Sequence, residues 1–194
     1  MAILRTRTRL EKRFRLEAST WIWAVAFALS LSGQNLATQP VSQEYQIKAA
    51  FLYNFSRFVE WPKEAFQNAQ SPLVIGIIGD DPFGSYLDDI VRGEKVASHP
   101  LVVRRFRRVD EIKTCHILFV SQSETNQMEQ ILANIKGRNI LTVGDVEGFA
   151  QRGGVIRFVT ESNKTRIRIN VKAARTANLT ISSKLLRVSE IITP

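Results

Sequence analysis

Three short, almost wholly apolar runs constrain this chain most: Leu73-Val-Ile-Gly-Ile-Ile78, Cys115-His-Ile-Leu-Phe-Val120 and Ile140-Leu-Thr-Val143. A strand with one wet face alternates polar and apolar residues. A run without that alternation is buried on both faces, as in parallel sheets covered by helices. The segments between the runs have helical spacing instead. Phe83, Leu87 and Ile90 share one side, as do Met128, Ile131, Leu132 and Ile135. Strands alternating with helices imply right-handed crossovers and a mostly parallel sheet.

Further elements extend this frame. Ser42 is an N-cap candidate, and Ile47, Phe51, Leu52, Phe55, Phe58 and Val59 predict an amphipathic helix over 43–60. Trp61-Pro62 stops it, because the residue before proline avoids helical angles. Leu101–Phe106 is a further strand. A helix from Ser123 or Thr125 to about Lys136 ends at Gly137, and a short helical piece is expected over 146–151. Residues 155–159 and 165–169 form a hairpin. Ile167 and Ile169 alternate with Arg166 and Arg168, so one face is wet, as at an antiparallel sheet edge. Asn170 and Ser182 or Ser183 are caps for two final helices. The expected fold class is α/β: a three-layer sandwich, a mostly parallel sheet of about six strands with an antiparallel edge hairpin, and helices on both faces.

The first 37 residues stand apart. Six of the 27 basic residues lie before residue 20, followed by the uncharged run Trp21–Leu31. As a helix that run rises about 16 Å, roughly half of a hydrocarbon core. A basic start, a short apolar stretch and then small residues read as a signal peptide over 1–37, cleaved after Ser32 or Ala37. An uncleaved anchor is the alternative. Residues 38–194 are then one exported domain. With the leader set aside, the net charge of +9 becomes a mild surplus that calls for no nucleic acid. The run Arg104, Arg105, Arg107, Arg108 lacks interleaved aromatic rings and reads as a solvated edge or a contact to an acidic partner.

Few residues suggest chemistry. The single Cys115 cannot form a disulfide within the chain, and its neighbour His116 should face the other side of a strand. Two histidines without metal spacing imply no metal site. No nucleophile elbow, P-loop or dinucleotide fingerprint is present, so no catalytic residues, no cofactor and no enzyme are expected. Gly76-x-x-Gly79-Asp-Asp-Pro is a strand-to-helix turn with acidic caps. Asp80 and Asp81 should share a sheet edge with Asp145, where a carboxylate pair is conceivable.

Several motifs agree in order with one family. Tyr45-x-x-Lys48-Ala-Ala-Phe-Leu-Tyr-Asn-Phe55-x-x-Phe58-Val-Glu-Trp61-Pro62 resembles the opening helix of YfiR-like proteins. Val74–Phe83, Cys115–Ser121, Leu141–Val143, Phe149-Ala-x-x-Gly153-Gly154-x-Ile156-x-Phe158, Ile169-Asn170 and Leu185-Leu186 continue the resemblance. It implies a periplasmic α/β regulator without known catalysis. By that resemblance it is expected, as for a characterised member, to repress an inner-membrane diguanylate cyclase through its periplasmic sensor region, lowering cyclic-di-GMP signalling and biofilm formation. The same resemblance implies an outer-membrane lipoprotein that relieves the repression. A characterised member has several cysteines and disulfides; here one cysteine leaves only pairing between chains, as in a homodimer.

Two functions are therefore expected in competition. The first is repression by docking on the cyclase sensor, with Phe158, Glu161, Arg166 and Arg168 of the hairpin as the docking surface. The second is a small-molecule sensor or carrier without a cyclase partner. Its ligand would sit beyond the strand ends, among Asp80, Asp81, Ser121 and Asp145.

Overall fold

The computed structural model describes residues 41–162 and 164–193. The leader expected over 1–37 lies outside them. Helix α1 spans Gln43–Phe58, and the Ser42 hydroxyl accepts the Tyr45 N–H at its start. The helix stops short of residue 60 because Val59–Glu60 (β1) pairs with Thr180–Ile181 (β9) as a small antiparallel ribbon. A strand partner supplied by the distant chain wins over one more helical turn at β-branched Val59.

The main sheet contains β2 (Leu73–Ile78), β3 (Lys95–Val96), β4 (His99–Phe106), β5 (Ile117–Val120), β6 (Leu141–Gly144), β7 (Ile156–Glu161), β8 (Lys164–Asn170) and β10 (Glu190–Ile192). Its order is β10-β8-β7-β6-β5-β2-β4-β3. The run β4-β2-β5-β6-β7 is parallel throughout. Strands β7 and β8 form the antiparallel hairpin, in register Phe158↔Ile167. The eight strands exceed the expected six because short β3 and β10 join the two ends. β10 lies outside β8 and covers only its last three residues, Arg168–Asn170.

Helices cover both faces. On one, α1 and α2 (Gly84–Val91) pack with the helices α4 (Val171–Thr176) and α5 (Ser183–Arg187) over Ile75, Ile77, Phe119, Val143, Ile156 and Ile167. On the other, α3 (Met128–Ile135) sets Met128, Ile131, Leu132 and Ile135 against Ile78, Leu118 and Val120. The purely apolar runs are thus buried on both sides, which is why they carry no alternation. Helix α3 starts later than its spacing suggested, after a single tight turn at Gln122–Glu124.

The expected helical piece after β6 is a chain of turns instead. Phe149, fully buried, lies across Gly144 and Gly154; a Cβ on Gly144 would come within 2.8 Å of its ring. Gly153 sits at φ 104°, a conformation that disfavours any side chain. The Phe149 ring thus fills the space that a side chain on Gly144 or Gly154 would need, while Gly153 serves the turn by its backbone conformation.

Candidate functional site

The C-terminal ends of β2, β5 and β6 align through Ile78↔Val120↔Gly144, so Asp80, Asp81, Ser121 and Asp145 follow three neighbouring strands at one sheet edge. The carboxylates do not pair with each other there. The Lys48 ammonium sits 2.6 Å from Asp145 Oδ2, and both side chains are almost fully buried. The Tyr45 hydroxyl donates to the same oxygen at 3.0 Å. Lys48 also contacts Glu44 at 2.8 Å, and Glu44 accepts the Thr160 hydroxyl at 3.0 Å. The ammonium lies 4.4 Å from the centre of the Tyr45 ring.

Electrostatics follow from these contacts. The hydrogen bond from Lys48 holds the Glu44 carboxyl below its ordinary range. Burial, then the Asp145 charge, pushes the Tyr45 phenol well above its ordinary value, so it stays a neutral donor. Asp145 Oδ1 is buried and has no hydrogen-bond partner among the described residues. This cluster clamps the start of α1 to the loop after β6 and to β7.

Asp81 is also taken. Its Oδ1 accepts the Phe83 N–H at 2.7 Å, and its Oδ2 meets Arg105 Nε at 2.8 Å. Arg105 also bonds Asp88 and the Gly84 carbonyl, and the Asp88 carboxyl is lowered by that hydrogen bond. Part of the basic run thus serves this edge internally. Ser121 is buried and ties β5 to β2 through its N–H to the Ile78 carbonyl at 3.1 Å. Asp80 has an exposed side chain, and its N–H donates to Ser123 Oγ.

On the hairpin, Phe158 departs from the expected docking surface. It is 1% exposed and lies 5.9 Å from the Phe55 ring and 5.8 Å from Phe51 in the core. Its position two residues after inward Ile156 puts it on the apolar face. Glu161, Arg166 and Arg168 do share the outer face. Arg168 meets Glu190 at 2.8 Å and Glu161 at 3.2 Å, while Arg166 is 3.7 Å from Glu161 and two-thirds exposed. Arg157 pairs across from Arg168 on that face, and its buried Nε has no partner among the described residues.

His116 is a built-in hydrogen-bond bracket. Its Nδ1 accepts the Val74 N–H at 3.0 Å, which leaves Nε2–H to donate to the Ala65 carbonyl at 3.1 Å. Phe66 stacks between His116 and His99, with ring centres 4.4 and 3.8 Å away. Burial pulls the His116 imidazole down to about 4. Cys115 is buried beside Gly76, and burial pushes its thiol up to about 12. No three His, Cys, Asp or Glu side chains converge as metal ligands among the described residues. Tyr45 and Lys48 belong to the opening-helix motif, and no role for them follows from the motif alone. The available signal was a lysine on the apolar side of α1, one turn after Glu44.

Together these features define a helix-covered α/β domain in which Asp81 and Asp145, two of the carboxylates at the strand ends, are neutralised from within the chain. The chain belongs to the YfiR/HmsC-like family, whose model matches residues 45–190. No curated protein matches it. Two solved structures resemble it distantly. One is an ABC domain in complex with L-Trp from Streptococcus pneumoniae, at 11% identity, 62% of this chain, 55% of that chain and a TM-score of 0.47. The other is a conserved domain protein from Vibrio cholerae O1 biovar El Tor, at 11% identity, 79% of this chain, 60% of that chain and a TM-score of 0.45. The chain thus spans little more than half the length of either. Among the described residues no helix is long and apolar enough to cross a membrane.

Proposed function

We propose that this protein is a periplasmic regulatory binding protein that represses a membrane-bound diguanylate cyclase through the cyclase's periplasmic sensor region. The observation that carries this reading is membership of the YfiR/HmsC-like family across residues 45–190. The basic leader with its short apolar run agrees with export. The docking surface in this reading is the wet face of the hairpin, formed by Glu161, Arg166 and Arg168. Phe158 holds that strand to the core rather than touching a partner. Repression requires that the protein bind the inactive sensor state more tightly than the active one. Sequestration by an outer-membrane lipoprotein would then relieve it by competition.

A sensor or carrier using Asp80, Asp81, Ser121 and Asp145 has less support. Asp145 is held by Lys48 and Tyr45, and Asp81 by Arg105, so a ligand there would have to displace internal partners.

The test is cellular cyclic-di-GMP in a deletion strain. Deletion should raise it, and the exported gene, but not a leaderless one, should restore it. Arg166→Glu with Arg168→Glu should leave a folded protein that no longer restores it. Equal rescue by the leaderless form, or full rescue by the charge-reversed form, would sink the respective part of the proposal.

A further inference from the structure

A sizeable cavity among the described residues lies away from the carboxylate edge. It has a volume of about 400 Å³ and sits where β6 and β7 begin and β8 ends, between the end of α3 and helix α4. That size suits a small organic molecule. Its floor is apolar: Leu132, Ile140, Val155 and Ala177 are all buried. Two buried polar residues join it: Asn170, whose amide is spent on the Ala150 carbonyl and the Ala173 N–H, and Thr142. Thr142 is 5% exposed, and its hydroxyl accepts the Val155 N–H at 2.9 Å, leaving its own proton without an acceptor among the described residues.

The rim is cationic. Lys136, Arg138, Arg152 and Lys172 line it against a single carboxylate, Glu129. Glu129 lies 3.7 Å from Arg152 and so is already matched. Arg138 is anchored by hydrogen bonds to the Ile112 and Lys113 carbonyls, neutral acceptors that supply no counter-charge. Lys136, Arg138 and Lys172 have no carboxylate partner among the described residues. Gly137 and Gly153 at the mouth have open space where a side chain would stand. An apolar floor, one inward hydroxyl and three unmatched cations complement a molecule with one anionic end and one apolar end.

We propose that this groove binds small amphiphilic organic anions, with the apolar body on Leu132, Ile140 and Val155 and the anionic head among Lys136, Arg138 and Lys172. The site is separate from the hairpin docking face and does not rest on that reading. Burial of the body supplies affinity, and the rim charges select the head.

The experiment is amide NMR titration of the full chain with octanoate, beside acetate and octylamine. Octanoate should give saturable shifts centred on Gly137, Gly153 and Ala173. Acetate, which lacks the body, and octylamine, which has the wrong charge, should give none that saturate there. Lys136→Glu with Lys172→Glu exchanges exposed side chains and should weaken octanoate about tenfold or more. Ala133→Phe, also at an exposed position, should block the groove without touching its charges. Absence of saturable shifts overturns the proposal. So does saturable binding by octylamine equal to octanoate, or unchanged octanoate affinity in either folded variant.

Discussion

Lys48 and Asp145 stand 97 residues apart in the chain and meet at 2.6 Å inside the protein. The contact joins the helix that opens the domain to the strand edge near its middle. A buried pair gains little over an apolar replacement, but removing one partner strands a charge. Lys48→Met should therefore cost about 3–5 kcal/mol, and Lys48→Met with Asp145→Leu should cost clearly less than Lys48→Met alone. Urea unfolding followed by circular dichroism measures both. A double variant no better than the single would mean that packing, not charge, dominates the site.

His116 gives the fold a defined acid sensitivity. Its ordinary value is 6.5, and burial brings the folded value to about 4. The unfolded chain binds the proton first, so stability falls as pH drops from 6.5 towards 4 and levels off below. The full loss is about 3 kcal/mol. The lowered carboxyls of Glu44 and Asp88 act in a different window, since their stabilisation is lost only below about 4.5 and 3.8. Unfolding free energies at pH 7, 5.5 and 4.5 should already show the decline, and His116→Gln should flatten it. An unchanged slope in that variant would assign the decline elsewhere.

Gly76 in β2 has no room for a side chain. A Cβ there would lie 2.7 Å from Cys115 Sγ and 2.7 Å from the Phe106 ring. Gly76→Ala should cost about 1–3 kcal/mol through overpacking. Cys115→Ala clears one of the two clashes, so the pair should be less destabilised than the sum of the singles. Strict additivity in thermal unfolding would contradict this contact.

Cys115 should be chemically silent in the folded protein. It is buried, and its thiol is pushed up to about 12, so almost no thiolate exists at neutral pH. A disulfide-exchange reagent should react at the rate of unfolding, and fully in denaturant. Fast stoichiometric labelling of native protein would reverse this expectation and open pairing between chains.

The sequence alone determined the parts of this protein that depend on neighbours along the chain. The double-faced burial of β2 and β5 follows from their unbroken apolar runs. The inward set Ile167 and Ile169 against the outward set Arg166 and Arg168 follows from period-two alternation; the expectation of Phe158 on the docking surface runs against that rule, since Ile156 two residues earlier is inward. The caps at Ser42, Asn170 and Ser182 are local chemistry, visible at three-residue range. Which charge meets which depends on how distant segments pack. Lys48 could have faced solvent on any helix of this pattern, and Asp81 and Asp145 could have faced each other. Strand order brought Asp145 under α1 and gave Asp81 to Arg105 on β4. The ribbon of β1 with β9 and the cavity between α3 and α4 have the same origin. Each is set by the register and stacking of segments far apart in sequence, and residue periodicity carries no information about that distance.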